Sequence, residues 1–282
     1  PQIGRITALD PAGPDFYEDN PEARLDRSDA AYVDAIHTDY GNVVLEGLGL
    51  QDTVGMDDFY PNGGYRQPGC GVTKGLFNVL QSGIGEGLSK TVACNHQRSW
   101  GLFIVNPKAM DEHCQYVGYE CDSWDKFREG KCGDCGAQGE QCGVFSVLGK
   151  DDPDYGNHYL QHMNVMKTID TKKRKLYFKT DDNKPFCLHH YQIIVHLANS
   201  MPRSATGFIN LSLHGSRRSV DELKFGEIAQ SYGPGMKVTA LGTYVKSLGT
   251  ITQIDLKWTF GGLQLLDPTK LFNFPKLHVQ KI

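Results

Sequence analysis

Asp10 stands directly after the strand-like run Gly4-Arg5-Ile6-Thr7-Ala8-Leu9, which Asp10-Pro11 ends. A carboxylate on a loop beyond the C-terminal end of a buried strand is where a Ser–His–Asp relay of strand-borne type places its acid. The chain order there is serine, then acid, then histidine. An Asp-Pro pair is also an ordinary strand-ending turn, so the reading depends on what accompanies it. The chain has ten histidines, and one of them, lying after Asp10, would have to serve as the base. No G-x-S-x-G stretch, the turn that presents such a serine, occurs in the 282 residues.

The eight cysteines are an even set, and five of them crowd between Cys114 and Cys142. Two chemistries compete for them. Cys132-x2-Cys135 is half of a zinc-ribbon pattern, but no second such pair follows. Closure as disulfides is the favoured reading, and it places the protein outside the cytosol. The one N-x-S/T triplet, Asn210-Leu211-Ser212, agrees with that placement, although such triplets are frequent by chance.

The elements around these residues fall into two stretches. Residues 1 to about 110 mix apolar runs, such as Tyr32 to His37, with loops rich in Gly, Pro and Asp. Residues 110 to 150 are cysteine-rich with little periodicity. From about 175 the pattern is all-β: Tyr191 to Leu197, Thr206 to Leu213, Met236 to Tyr244 and Ile251 to Phe260 are short, β-branched and separated by turn residues. Such runs at this spacing predict a β-sandwich. The polar stretch Asp170 to Lys175 reads as the hinge between the two. Between Cys70 and Cys94, Leu76, Leu80, Ile84 and Leu88 recur every four residues, with Phe77 beside the first. This is an amphipathic helical stripe, weakened by Gly83, Gly85 and Gly87.

The composition is that of a soluble globular chain, with 39% hydrophobic and 22% charged residues and a formal net charge of −4. There is no basic excess to suggest nucleic acid. No stretch approaches the roughly 20 apolar residues of a membrane-spanning helix. No signal segment precedes the opening strand-like run, and the chain is expected to begin partway through a larger protein.

Four ordered motifs carry a resemblance: LDPAGP at 9–14, RLDRSDAAYVDAIHTD at 24–39, FYPNGGYRQPGC at 59–70 and CNHQRS at 94–99. In order and spacing they resemble the pancreatic lipase family, over essentially the whole chain. The resemblance implies the C-terminal part of an α/β-hydrolase domain over 1–174. An all-β, C2-like PLAT sandwich would follow over 175–282. It assigns Asp10 as the acid and His96 as the base of a Ser–Asp–His triad, with the serine upstream of residue 1 or on another chain. His37 belongs to the same pattern but reads as structural.

The resemblance also implies a structural Ca2+ site in RLDRSDA, with the Asp26 and Asp29 carboxylates and the Pro21 and Arg24 carbonyls as ligands. A one-residue shift would move the first carbonyl to Glu22, and the plain alternative is two solvated loop aspartates. It turns the stripe within 70–94 into a disulfide-closed lid that opens at a lipid–water interface. Cys121 with Cys132 and Cys135 with Cys142 resemble disulfides general to the family. Cys114 and Cys187 resemble a pair found in the phospholipase A1 branch related to lipase H, and are expected to tie the sandwich to the catalytic domain. The long lid favours triacylglycerol as substrate, and those cysteines favour phospholipid. The implied activity is that of a secreted carboxylic ester hydrolase. The competing reading is an inactive lipase-like secretory, egg or structural protein that binds lipid or protein. A third reading takes 175–282 as a docking module, using aromatics such as Trp258, Phe272 or Phe274.

Overall fold

A computed structural model describes residues 3–16, 22–41, 47–71, 84–105, 114–145, 173–225, 229–261 and 277–281. The chain divides into two compact units, one formed by Pro1–Trp124 with Asp134–Leu188 and the other by Asp125–Gly133 with His189–Ile282.

The first unit is built on a six-stranded sheet. In chain order its strands are β1 (Arg5–Leu9), β2 (Tyr32–Ile36), β3 (Asp57–Pro61), β4 (Tyr116–Glu120), β5 (Cys142–Phe145) and β6 (Arg174–Phe178). They lie side by side as β1-β2-β3-β6-β4-β5. β1, β2, β3 and β6 are mutually parallel, while β4 runs antiparallel to both β6 and β5. Helix α1 (Ile84–Phe103) belongs to this unit. Every residue of β2 and β3 is buried, as parallel strands covered on both faces must be.

Burial of those strands leaves their acids dependent on partners. Asp57 lies directly across from Arg174 and takes its guanidinium on both oxygens, at 2.7 and 2.7 Å. The Tyr32 hydroxyl donates to the same carboxylate at 2.9 Å. Asp34 takes Arg5 in the same forked way, at 3.0 and 2.7 Å, and the Thr7 hydroxyl at 2.7 Å. The apolar core gathers Ile36, Phe59, Phe145, Leu176, Phe178 and Leu102 of α1.

The second unit contains the remaining strands: β7 (His189–Leu197), β8 (Ala205–Gly215), β9 (Ser219–Lys224), β10 (Gln230–Tyr232), β11 (Lys237–Tyr244), β12 (Ile251–Phe260) and β13 (Val279–Lys281). β8 is flanked by β10, β12 and β9 in one sheet, and β7 lies between β11 and β13 in another. Ile193, Val195 and Leu197 of β7 share one core with Ile209, Leu211 and Leu213 of β8. Two sheets packed through alternate residues are a β-sandwich.

Two expectations are corrected here. The stretch read as a hinge ends inside β6, because Arg174 is a buried sheet residue paired to Asp57 rather than a solvated linker charge. The compact units divide at Leu188 and His189, with Asp125–Gly133 grouped in the second, whereas the expected boundary lay at 174 and 175. Cys114 and Cys187 are bonded as expected, but both lie in the first unit, so this bridge closes that unit on itself. Cys70–Cys94 and Cys135–Cys142 are also bonded, and Cys121 and Cys132 are oxidised too. The disulfide of Cys135 removes it from any zinc site.

Candidate functional site

β1 delivers Asp10 at its C-terminal end, and the backbone there departs from the strand. Asp10 has φ 52°, a left-handed conformation rare for a residue with a side chain. Its N–H still donates to the Ile36 carbonyl at 2.8 Å, so the turn stays pinned to β2. Its buried carboxylate accepts the N–H groups of Thr38 and Asp39 on Oδ1, at 2.7 and 3.0 Å. Oδ2 faces His96 Nδ1 at 2.8 Å. The loop carrying Gly47 and Gly49 passes close by. A Cβ on Gly49 would meet Asp10 Oδ1 at 2.9 Å, and one on Gly47 would meet the Asp39 carbonyl at 2.1 Å. Glycine is what allows the approach.

His96 rides on α1, whose other face is fastened at several points. Cys94 is bonded to Cys70. Asn95 Oδ1 accepts the Gln67 N–H at 2.9 Å, and the Gln67 amide donates in turn to the Thr38 and Pro61 carbonyls at 3.1 and 3.0 Å. The Arg98 guanidinium donates to the Pro68 carbonyl at 2.7 Å and lies 3.9 Å from the centre of the Phe186 ring. The Ser99 hydroxyl closes on the His96 carbonyl at 2.7 Å. Residues 95, 98, 99 and 102 form the buried side of the helix, while His96, Trp100 and Ile104 recur at four-residue spacing on the exposed side.

The Asp10 carboxylate is an acceptor, so His96 Nδ1 carries the hydrogen between them. Nε2 is left as the lone-pair nitrogen, with no partner among the described residues, on a side chain 56% exposed. The hydrogen bond that His96 donates to Asp10 raises the His96 pKa above its ordinary value. Burial opposes this, and the charges of Asp10 and Asp39 reinforce it.

Asp39 was not anticipated. It is 1% exposed, and Asn95 and the Leu48 N–H lie beside its carboxylate without reaching full hydrogen-bond geometry. Burial, then the neighbouring Asp10 charge, push its carboxyl up to about 7, with Asn95, the Leu48 N–H and His96 pulling the other way. The clue available in the sequence was an acid just beyond the strand next to that of Asp10. Recognising it required knowing that β1 and β2 are neighbours.

The other histidines differ from His96. His37 is fully buried, with Nδ1 on the Leu50 carbonyl at 2.7 Å, Nε2 on Asp58 at 2.8 Å and its ring stacked on Tyr60. Neither nitrogen is open to a reactant. In the second unit, His214 meets Ser219 Oγ at 2.9 Å through Nδ1 and Asp255 at 2.8 Å through Nε2. There the acid holds the opposite nitrogen, and the trio is solvent-exposed.

Of the expected calcium ligands, Pro21 lies outside the described residues. Asp26 and Asp29 form a tight turn: the Asp26 N–H donates to Asp29 Oδ2 at 2.9 Å. Ser28 gives its N–H and hydroxyl to Asp26 Oδ1, at 3.0 and 2.8 Å. Burial pushes the Asp26 carboxyl up, but the Ser28 hydrogen bonds and the Lys173 charge hold it below its usual value. Asp26 Oδ2 and Asp29 Oδ1 remain as hard oxygen donors. No third His, Cys, Asp or Glu side chain joins them among the described residues, so a cation held there would draw its other ligands from carbonyls such as that of Arg24. The apolar stripe of Leu76, Phe77, Leu80, Ile84 and Leu88 lies outside the described side chains.

A family model described as Lipase matches residues 1–186, a span that ends two residues before the first compact unit does. The chain belongs to the pancreatic lipase family. Lipase member H of Mus musculus is 33% identical over 263 residues, covering 93% of this chain and 51% of that protein. Pancreatic lipase-related protein 2 of Homo sapiens is 32% identical over 273 residues, covering 95% of this chain and 52% of that protein. Hepatic triacylglycerol lipase of Mus musculus is 29% identical over 257 residues, covering 91% and 46%. This lipase-family chain therefore spans about half the length of the curated relatives it matches.

Proposed function

We propose that this lipase-family chain supplies the acid and base of a Ser–Asp–His triad that hydrolyses carboxylic esters of acylglycerols at a lipid–water interface. The observation that carries the reading is the Asp10–His96 contact, with the imidazole held by Nδ1 and Nε2 left open. In the proposed reaction, His96 Nε2 takes the proton of a serine hydroxyl as its oxygen attacks the ester carbonyl. The same nitrogen then protonates the departing alcohol. Asp10 fixes the tautomer and stabilises the imidazolium. The serine and its oxyanion-binding N–H groups would come from a segment upstream of Asp10 or from another chain, since the 282 residues hold no G-x-S-x-G.

Several further assignments belong to this reading. The segment closed by Cys70–Cys94 is the lid, and the exposed strip of Trp100 and Ile104 beside His96 suits contact with acyl chains. The second unit is a PLAT-type sandwich. Asp26 and Asp29, with the Arg24 and Pro21 carbonyls, hold a structural Ca2+. The protein is secreted, in keeping with its disulfides and with the absence of any described helix long and apolar enough to cross a membrane. Triacylglycerol is the first substrate, and phospholipid the second.

The test is hydrolysis of dispersed triacylglycerol and of phospholipid vesicles by the complete natural protein, with His96→Ala as control. Activity abolished by His96→Ala is expected. A folded natural protein that binds these lipids without hydrolysing either would instead make the fold a binding scaffold.

A further inference from the structure

We propose that Asn210 carries an N-linked oligosaccharide, which holds the outer face of the β8 sheet in water. Along β8 the buried positions are Ala205, Gly207, Ile209, Leu211 and Leu213, and the residues between them point outward. Period two therefore aligns Phe208, Asn210 and Ser212 on the outer face. Asn210 and Ser212 are the acceptor and the hydroxyl of the one N-x-S/T triplet in the chain. No neighbour engages the Asn210 amide or the Ser212 hydroxyl among the described residues. The amide is partly buried on the outward side of a paired strand, and with no hydrogen bond among the described residues it is free to bear a substituent.

The surroundings suit a sugar. Phe208 lies two residues before Asn210 on the same face, about 7 Å along the strand, a distance at which an aromatic ring can lie under the first sugar's apolar C–H face. Lys257 of β12 and Lys224 of β9 stand directly across from Asn210 on either side, giving polar rims to that platform. The oxidised cysteines place the chain in the compartment where such transfer occurs.

In the transfer, the Asn210 amide nitrogen attacks the anomeric carbon of a lipid-linked oligosaccharide pyrophosphate. The new C–N bond replaces the C–O bond to pyrophosphate, the amide loses one proton, and the lipid pyrophosphate leaves. Transfer to the extended nascent chain precedes pairing of β8 with its neighbours, so a central strand position is no obstacle.

The test is secretion of the complete protein from eukaryotic cells, with intact mass and peptide mapping before and after peptide-N-glycosidase release in oxygen-18-labelled water. The expected result is loss of one oligosaccharide with conversion of Asn210 to a heavy-oxygen aspartate. Asn210→Gln and, independently, Ser212→Ala should abolish the mass difference, so a folding defect in one variant does not obscure the outcome. Phe208→Ala is expected to lower occupancy. Secreted, oxidised protein with an unmodified Asn210 would overturn the proposal, and so would protein retained unmodified in the cytosol. Neither result bears on ester hydrolysis, which is read separately.

Discussion

His96 Nδ1 lies 2.8 Å from Asp10 Oδ2, while Asp10 Oδ1 is already taken by the N–H groups of Thr38 and Asp39. The two backbone donors come from the loop after β2, so the carboxylate is aimed by the neighbouring strand rather than by its own. The imidazole is aimed by a helix whose opposite face is tied through Asn95, Arg98 and the Cys70–Cys94 disulfide. A displacement of any of these supports would be felt at Nε2.

Asp10→Asn should leave the fold intact and lower kcat by about 10⁴-fold, because the amide presents the wrong hydrogen-bond pattern to Nδ1. Steady-state kinetics on a soluble ester, with KM determined separately, checks this. A loss confined to KM would mean that Asp10 serves substrate binding instead.

The acid limb of activity should lie above the ordinary imidazole value. His96 is a base only when neutral, and its hydrogen bond to Asp10, with the charges of Asp10 and Asp39, favours the protonated form against burial. Activity is therefore expected to appear as pH rises through that raised midpoint. Asp39→Asn removes one of the charges and should move the midpoint down with the alkaline plateau retained. A kcat/KM–pH profile decides it, an unmoved midpoint counting against any role for Asp39.

Stability should respond to Asp39 with the opposite sign from most acids. Its carboxyl is pushed up to about 7 in the folded state, against roughly 4 in the unfolded chain. Between those values the folded state holds more protons, so stability falls as pH rises across the window and stays reduced above it. Asp39→Asn is expected to raise Tm at pH about 8, by roughly 2–4 °C per kcal/mol recovered, and to leave it unchanged near pH 4. Calorimetry at the two pH values checks this.

Breaking Cys114–Cys187 by a paired Cys→Ala substitution should destabilise the first unit. The bridge spans 73 residues, which in the chain-entropy model corresponds to about 4 kcal/mol. Denaturant unfolding followed by near-ultraviolet signals gives the measurement, and a change below about 1 kcal/mol would mean that the bridge adds little beyond packing.

Calcium removal should also lower the melting temperature. With Ca2+ at a hundred times its Kd, binding to the native state adds about 2.7 kcal/mol. Chelation should remove that increment from the natural protein and have no effect on a variant carrying both Asp26→Asn and Asp29→Asn. Equal melting curves with and without chelator in the natural protein would leave the two aspartates as solvated turn residues.

Local pattern carried much of this in advance. β12 occupies the run Ile251–Phe260 read from its β-branched residues, and Asp10 lies at the strand end where the Asp-Pro break put it. Long-range pairing was less legible. Arg174 looked like part of a solvated linker because its partner, Asp57, is 117 positions away. Asp39 gave no local sign, since its environment exists only once β2 lies beside β1. The helix bearing His96 runs on to Phe103, well past the cysteine that bounded the amphipathic stripe. Its buried residues there include Asn95, Arg98 and Ser99, which an apolar pattern does not count.

The most direct measurement is covalent labelling of the complete natural protein with a serine-directed alkyl phosphonate, with the adduct mapped and His96→Ala run alongside. Stoichiometric labelling of a serine within G-x-S-x-G, lost in His96→Ala, is the expected result. Absence of any labelled serine in folded protein, or labelling at Ser219 that ignores His96→Ala, would contradict the assignment of Asp10 and His96 as a catalytic pair.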